Sequence, residues 1–251
     1  MEIDLDLGPI LGGTLIRLDG QRLKQINYNS KELIYFFSNP ILTNGVNKLG
    51  ELSAAALLLK SPITSYDKLL SRPDYTYYLM WEKNERGKGS FLIGYLKVVR
   101  KSLFVIDKDM KNHQGKTVCL LDFYVHYSRQ RSGYGKQLFD YMLKCENMLP
   151  ESIALDSPSV TIMAFMAKHY QLSDPIWQNT NYVVFRSFFN VIGKAMGPSV
   201  DDGRPSTPKN YYQNPMVASN IGDLTNEGTL ASRSQAAKQR KEHILGNTKL
   251  W

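Results

Sequence analysis

An apolar segment that runs into a glycine-containing turn and then into a helical segment constrains this chain most. Residues 117–125 are rich in β-forming side chains, Gln130 to Lys136 carries glycines at 133 and 135, and apolar residues at helical spacing follow from Leu138. Glycines at a strand-to-helix turn let a ligand approach the backbone closely. Because a helix N-terminus offers unpaired N–H groups and partial positive charge, the segment predicts a phosphate or pyrophosphate site.

Two familiar phosphate motifs do not fit this turn. A Walker loop needs Ser or Thr directly after the lysine, and here Gln137 follows Lys136. A Rossmann fingerprint needs three glycines and an opening βαβ unit, and only two glycines are present. The structural alternative is a tight turn with a solvated basic edge.

The spacing of apolar residues predicts the other elements. Strand-like segments lie at 75–81, 91–99, 102–107, 117–125, 152–156 and 181–189, and helix-like segments lie at 31–38, 46–59, 135–145 and 158–170. The short gap at Arg100-Lys101 predicts a hairpin, and residues 108–116 a polar loop. We expect an α+β (mixed α/β) domain over 1–190 and a mostly disordered basic and polar tail over 191–251.

Composition excludes several classes of protein. The four histidines and two cysteines lack metal-ligand spacing, so no metal is expected. Charged residues interrupt the apolar runs within about ten residues, short of the ~20 that a membrane helix needs. The acidic N-terminus is unlike a targeting peptide, so we expect a cytoplasmic protein. The net charge of +8 favours an acidic partner. Nucleic acid is not expected as that partner because no RNP, zinc or helix-turn-helix signature occurs.

The glycine turn and its surroundings resemble one acetyltransferase family. Gln130-Arg131-x-Gly133-x-Gly135 is similar to the acetyl-CoA pyrophosphate loop of the GCN5-related N-acetyltransferases (GNATs). The segments 121–143, 155–172 and 179–189 closely resemble the α-tubulin N-acetyltransferases, and the resemblance extends over residues 1–190. It implies a GNAT fold with a mixed, mostly antiparallel sheet flanked by helices. It also implies a monomeric enzyme that transfers acetyl from acetyl-CoA to a lysine ε-amine of α-tubulin in microtubules.

The resemblance assigns the catalytic residues. Asp156 matches the catalytic aspartate and ends an apolar strand, which suits a general base; the alternative is a carboxylate that caps the next helix. Cys119 matches the catalytic cysteine and is expected to relay a proton; the alternative is a small buried apolar residue. Strand alternation predicts Cys119 on the face of Leu121 and Phe123, opposite Asp122.

The resemblance also outlines the cofactor and substrate sites. The pantetheine arm should bond the backbone of Phe123, Tyr124 and Val125, with the pyrophosphate on Gln130, Arg131, Ser132, Gly133, Tyr134, Gly135 and Lys136. Ser159 and Lys168 would contact acetyl-CoA from the following helix, although core packing of Val160, Met163, Ala164 and Ala167 is the alternative there. Asp122 either orients the substrate lysine or pairs with a structural Arg or Lys. Arg100, Lys101 and Phe104 form a basic, partly aromatic edge for the substrate, or only a solvated edge.

One departure from the family keeps other functions open. Vertebrate members carry a glutamine in the helix before Pro62, where this chain has Ala56-Leu57-Leu58-Leu59. The first alternative function is acetylation of another protein lysine or of a small amine. The second is a microtubule-binding protein with a mainly structural role.

Overall fold

The computed structural model describes residues 1–11, 13–19, 40–87 and 89–195, which contain both strands and helices. The strands are β1 (Glu2–Ile3), β2 (Leu15–Leu18), β3 (Tyr75–Lys83), β4 (Ser90–Ile106), β5 (Asn112–Val125), β6 (Ala154–Asp156), β7 (Pro175–Trp177) and β8 (Tyr182–Phe185). The helices are α1 (Gly8–Leu11), α2 (Pro40–Ala56), α3 (Tyr66–Ser71), α4 (Tyr134–Glu146), α5 (Val160–Tyr170) and α6 (Phe188–Ala195). None of the helices in this part of the chain is long and apolar enough to cross a membrane.

The strands form one mixed sheet. Within the described residues its order is β2-β3-β4-β5-β6-β8-β7, and β1 pairs with β4. The β5–β6 pair is parallel and the other pairs are antiparallel. The predicted mixed, mostly antiparallel sheet flanked by helices is therefore confirmed.

Apolar side chains cover both faces of the sheet, which places helices on both sides. On one face Leu138 and Phe139 of α4 pack with Leu96 and Leu120, and all four are almost fully buried. On the other face α2 and α3 pack against β3 and β4, and Phe188 of α6 packs against Cys119. Each fully buried Leu or Phe side chain stabilises the fold by roughly 1.5–3 kcal/mol.

A β-bulge in β5 changes which side chains share a face. Lys97 of β4 pairs with Asp122, but Val98 pairs with Leu120, so Leu121 is the extra residue. A bulge interrupts the alternation of side chains along its strand. Because Asp122 lies opposite Lys97 and Cys119 lies opposite Val99, Asp122 and Cys119 share one face. The prediction that they lie on opposite faces was wrong.

The predicted hairpin at Arg100-Lys101 was also wrong, since β4 continues without interruption to Ile106. Neither residue favours a turn, and both pair with β5. The chain reverses after Asp107, whose carboxylate accepts bonds from the N–H groups of Asp109 and Lys111, both at 2.9 Å. Residues 112–116, predicted as loop, belong to β5.

Other boundaries shift at the ends of elements. Ser159, and not Ser157, caps α5 by accepting a bond from Ile162 N–H at 3.3 Å. The strand predicted for 181–189 ends at Phe185, and α6 begins at Phe188. The helix predicted at 31–38 lies outside the described residues. The part of the predicted tail from residue 196 to residue 251 also lies outside them. The domain boundary at 190 stays a prediction.

A buried carboxylate ties the end of α4 to the sheet. The Glu146 side chain is 2% exposed and lies 2.7 Å from Arg100 Nη2. Its second oxygen accepts a bond from the fully buried Tyr78 hydroxyl at 2.5 Å. Since Arg100 also donates to the Glu146 carbonyl at 2.8 Å, it is held on the α4 side of the sheet. Arg100 therefore does not join Lys101 in the predicted basic edge.

Replacing Glu146 tests this anchor. Glu146→Gln places an NH₂ group among donors and weakens the bonds to Tyr78 and Arg100. We expect the free energy of unfolding in urea to fall by about 1–3 kcal/mol. Glu51→Gln is the control, because Glu51 is exposed and, among the described residues, pairs with exposed Lys48; it should change stability by less than about 0.5 kcal/mol. Equal effects of the two substitutions would contradict the anchoring role.

Candidate functional site

The glycine turn forms the start of α4 in the geometry that an anion site needs. Gly133 occupies the N-cap position with φ of 86°, and Arg131 is also left-handed with φ of 63°. Gly133 has no side chain to cap the helix, and the first helical bond runs from Gln137 N–H to Gly133 C=O. The N–H groups of Tyr134, Gly135 and Lys136 therefore have no helical acceptor. These donors point to the exposed side of the turn.

Contacts on either side of the turn hold it in place. Gln130 Nε2 donates to the Val125 carbonyl at 2.8 Å, which closes the turn onto the end of β5. The Tyr134 hydroxyl donates to Glu82 of β3, and Arg129 Nη2 lies 3.9 Å from the same carboxylate. Glu82 thus orients the turn without occupying its N–H groups, a role that the sequence analysis missed.

Lys136 is already paired in the structure. Its Nζ lies 2.5 Å from Asp140 Oδ2, one helical turn further along α4. The Tyr170 hydroxyl donates to the other Asp140 oxygen at 2.7 Å. Lys136 must therefore leave or share Asp140 before it can contact a phosphate. Arg131 and Ser132 are exposed on the turn itself.

A free strand edge leads from this turn into the sheet. β5 pairs with β6 at only two positions, Cys119↔Ala154 and Leu120↔Leu155, although β5 continues to Val125. His126 N–H bonds the Ile93 carbonyl on β4 at 2.8 Å. Because bonding alternates along an antiparallel ladder, Tyr124 also turns its main-chain groups to β4. Within the described residues Phe123 therefore presents its N–H and C=O to the free edge, and Val125 presents its N–H, since Gln130 occupies the Val125 carbonyl. Tyr124, predicted with them, does not face this edge.

The helix α5 packs beside the end of β5 through Phe165 and carries small exposed side chains. Val160, Thr161, Ala164, Ala167 and Lys168 are exposed, whereas Met166 on the opposite side is fully buried. The alternative of core packing is therefore wrong for Val160, Ala164 and Ala167. The Ser159 hydroxyl already accepts the capping hydrogen bond from the Ile162 N–H at the start of α5.

Aromatic rings fix α4 and α5 relative to the end of β5. The centroid of the Phe165 ring lies 5.4 Å from that of Phe123 and 5.5 Å from that of Phe139. The Tyr170 ring lies 5.1 Å from Phe139. This packing fixes the positions of α4 and α5 beside the end of β5.

A second group of residues lies on the opposite face, where β5 and β6 separate. Asp156 ends β6 and is half-buried, and Tyr182 is its cross-strand partner on β8. Cys119 packs fully buried beside Ala154, two residues before Asp156. Lys101 Nζ donates to the Tyr182 hydroxyl at 3.2 Å, and the Tyr182 side chain packs against the buried cluster that contains Cys119. The fold thus joins both predicted catalytic residues in one polar cluster.

The surroundings of Cys119 keep its thiol neutral. Burial raises the pKa of Cys119 to about 12, with the Lys101 charge opposing the rise and the Asp156 charge adding to it. A neutral thiol is a poor nucleophile.

Asp156 does not cap the following helix, since Ser159 does. The Ser157 hydroxyl donates to Asp156 Oδ1 at 3.1 Å, and the left-handed φ of 46° at Ser157 separates Asp156 from α5. The structural alternative for Asp156, a helix cap, is therefore wrong.

Asp122 is placed as a structural anchor. Its carboxylate is 4% exposed and accepts bonds from Ser53 Oγ at 3.0 Å, Thr64 Oγ1 at 2.7 Å and Tyr95 OH at 2.6 Å. Lys97 lies opposite on β4 and is buried on the same face. These contacts fasten α2 and the segment after it to the sheet. Burial of this kind, with three hydroxyl donors in place of the expected Arg or Lys, favours a structural role over contact with a substrate lysine.

The predicted substrate edge is divided by strand geometry. Lys101 faces the polar cluster, whereas Phe104 is 72% exposed. Residues that are three positions apart along an unbroken strand point to opposite faces of the sheet. The side chains of Lys101 and Phe104 therefore do not form one patch. Of the leucines that replace the vertebrate glutamine, Leu57 is half-buried and Leu58 is exposed at the end of α2.

Tyr182 is the polar neighbour that sequence reasoning missed. It occurs in the resemblance only as part of a strand, and no local pattern connects it to Cys119. The contact arises because β6 lies between β5 and β8 in the sheet.

Comparisons with known proteins agree with this geometry. A family model described as "GNAT acetyltransferase, Mec-17" matches residues 3–216. "Alpha-tubulin N-acetyltransferase 1" of Caenorhabditis elegans is 40% identical over 274 aligned positions, covering 100% of both chains. "Alpha-tubulin N-acetyltransferase" of Trichoplax adhaerens is 36% identical and covers 83% of this chain and 91% of its own. The Anopheles gambiae protein of that name is also 36% identical; the match covers 81% of this chain and 41% of the longer mosquito protein.

The family match spans most of the chain, and one relative aligns with it from end to end. Both agree with the phosphate-type turn, the free strand edge and the mixed sheet. The chain therefore belongs to the Mec-17 family of GNAT acetyltransferases and is an acetyltransferase.

Proposed function

We propose that this protein transfers the acetyl group of acetyl-CoA to the ε-amine of a lysine in α-tubulin, with Asp156 as general base. The observation that carries the proposal is the position of Asp156. It ends β6 at the point where β5 and β6 separate, on the same face as Cys119. The names of the C. elegans and Trichoplax relatives support α-tubulin as substrate.

The residues present fit acetyl-CoA. The unpaired N–H groups at the start of α4, with Arg131 beside them, suit a pyrophosphate. The N–H and C=O of Phe123 and the N–H of Val125 suit the amides of a pantetheine arm, and the small exposed residues of α5 leave room beside that edge. Acetyl-CoA supplies the acetyl group as a thioester.

The amine must lose protons as the amide forms. A free lysine has a pKa near ~10.4, so it is protonated at neutral pH. Asp156 would take one proton from the ammonium, which frees the nitrogen lone pair to attack the acetyl carbon. The new N–C bond replaces the thioester C–S bond, and the sulfur leaves with the electron pair. The nitrogen then loses a second proton, and the thiolate of CoA takes up one proton. The net change is the release of one proton to solvent.

Cys119 would serve as a proton relay and would not carry the acetyl group. A pKa of about 12 leaves its thiol protonated at neutral pH, which disfavours attack by sulfur. The amine can then attack the thioester directly.

The overall charge suits an acidic substrate surface. The net charge of +8 would raise the rate of encounter with an acidic partner and make it sensitive to salt. Lys101 and Phe104 remain proposed contacts to the substrate. Acetylation of microtubules would place the enzyme in the cytoplasm.

The first prediction concerns the base. In Asp156→Asn the side chain keeps its size but cannot accept the lysine proton. We expect kcat on polymerised tubulin to fall about 10²–10⁴-fold, measured by mass spectrometry of acetylated α-tubulin peptides. The affinity for acetyl-CoA should not change.

Asp67→Asn is the matched control, because Asp67 lies exposed in the first turn of α3 and should leave the rate unchanged. Wild-type activity in Asp156→Asn would show that Asp156 is not the general base. If the wild-type protein binds acetyl-CoA but leaves tubulin unmodified, α-tubulin is not the substrate. The protein would then either acetylate another amine or have a mainly structural role on microtubules.

The second prediction concerns the cofactor groove. Ala164→Leu adds bulk to the open face of α5 without disturbing the core, because Ala164 is exposed. We expect the dissociation constant of acetyl-CoA to rise about tenfold or more, equivalent to ~1.4 kcal/mol, in isothermal titration calorimetry. The Tm should stay within a few degrees of wild type.

Cys145→Leu is the control for Ala164→Leu, since Cys145 is exposed on the last turn of α4, far along the helix from the turn. It should bind acetyl-CoA as the wild type does. Unchanged acetyl-CoA binding in Ala164→Leu would mean that acetyl-CoA does not lie along this face of α5.

A further inference from the structure

The side chain of Gln178 takes the place of a neighbouring strand at the far end of β4. Strand β3 begins at Tyr75, opposite Val99, and therefore does not reach residues 100–106 of β4. Gln178 Oε1 accepts a bond from the Ile106 N–H at 2.7 Å, and Gln178 Nε2 donates to the Ile106 carbonyl at 3.1 Å. These two bonds form the Gln178–Ile106 bridge, in which one amide pairs with both main-chain groups of a strand residue.

The alternation along β4 makes the main-chain groups of Ile106 available for this bridge. The Asp107 N–H bonds the Lys111 carbonyl at 3.0 Å, inside the hairpin that β4 and β5 form. Because successive residues of an antiparallel ladder face opposite edges, Ile106 turns its N–H and C=O away from β5. Gln178 therefore bonds Ile106 without competing with the pairing of β4 and β5.

Gln178 is itself held in one orientation. Its own N–H bonds the Tyr182 carbonyl at 3.1 Å across the turn between β7 and β8, and its Nε2 also donates to the Ile176 carbonyl at 3.3 Å. Reversing the amide would set its NH₂ group against the Ile106 N–H and its oxygen against two carbonyls. The three side-chain bonds therefore agree on a single position for the amide.

The bridge acts on a hairpin whose two faces differ. Leu103 and Val105 are buried in the cluster that contains Val184 and Phe188, whereas Phe104 between them is 72% exposed. Beyond the bridge, residues 108–112 are exposed. Apolar packing thus holds the hairpin as far as Val105, and the bridge secures the next residue, two positions from Phe104.

We propose that Gln178 is a positioning residue for the substrate: the Gln178–Ile106 bridge holds the end of the hairpin so that Phe104 is presented in one place to the polypeptide around the substrate lysine. This inference rests on the proposed function, in which Lys101 and Phe104 contact the substrate. Lys101 Nζ, on the same hairpin, donates to the hydroxyl of Tyr182, the first residue of β8. Residues at the two ends of the turn between β7 and β8 therefore hold the hairpin at two points.

The kinetic test removes the amide and keeps the length of the side chain. In Gln178→Met both bonds to Ile106 are lost, and we expect KM for polymerised tubulin to rise about tenfold, equivalent to ~1.4 kcal/mol. KM for acetyl-CoA should stay unchanged, because Asn112, opposite Ile106, lies roughly 35 Å from Phe123 along β5. The value of kcat should also stay near that of the wild type, since the substitution does not touch Asp156 or Cys119.

Asn179→Leu is the matched control, because it also replaces an amide by an apolar side chain of similar size and lies exposed on the same turn. It should keep the wild-type KM for tubulin. A lower Tm in Gln178→Met with an unchanged KM for tubulin would assign Gln178 to stability alone and would overturn the proposal.

A double variant shows whether Gln178 acts through Phe104. If it does, adding Gln178→Met to Phe104→Ala should raise KM for tubulin by less than about twofold, because interacting positions are not additive. A rise in this background as large as that in the wild-type background would overturn the proposal.

Hydrogen exchange of single amides, followed by NMR, tests the bridge without any measurement of activity. In Gln178→Met the Ile106 amide should exchange about tenfold faster, whereas the Asp107 amide, bonded to Lys111 inside the hairpin, should keep its wild-type rate. An unchanged rate at Ile106 would overturn the bridge. A faster rate at Ile106, together with no acetylation of tubulin by the wild-type protein, would show that the bridge exists and that the proposed function, and with it the positioning role, has failed.

Discussion

The early separation of β5 from β6 is the constraint on which both halves of the site depend. The two strands pair as far as Leu120 and Leu155, and then β5 continues alone to Val125. Continued pairing would use the main-chain groups that Phe123 and Val125 turn to this edge and would enclose Asp156 within the sheet. The bulge at Leu121 supports the separation, since a bulge bends its strand and increases the local twist. One irregularity therefore produces a free edge on one side and an accessible carboxylate on the other.

The two halves of the site use different electrostatics. At the start of α4 the attraction for an anion comes from backbone N–H groups at an exposed turn, where added charges are partly screened. Around Cys119 the polar groups are few and lie among apolar side chains, where each hydrogen bond has more effect because the local dielectric constant is low. The phosphate end can therefore bind by many weak contacts, whereas the cluster around Asp156 depends on the orientation of individual groups.

Features encoded by neighbouring residues could be predicted from the sequence, and features created by strand pairing could not. The glycine turn was recognised because strand, glycines and helix follow each other within twenty residues or so of chain, and the family and mixed sheet are confirmed. The face shared by Cys119 and Asp122 depends on a bulge that is visible only in the register with β4. The hairpin at Arg100-Lys101 was expected from a short polar gap, but charged residues at the middle of a long strand pair normally with β5. Tyr182 could not be connected to Cys119, because the contact needs the order β5-β6-β8.

The burial of Cys119 and the partial exposure of Asp156 together favour one order of events. The surroundings that raise the pKa of Cys119 also withdraw its sulfur from any substrate, since the side chain is fully buried. Asp156, at the end of β6, is only half-buried. A buried neutral thiol beside an accessible carboxylate suits proton movement and disfavours transfer of acetyl to sulfur. On the proposed function, the lysine nitrogen itself must therefore form the bond to the acetyl carbon, and the residues around it need only remove and relay its protons.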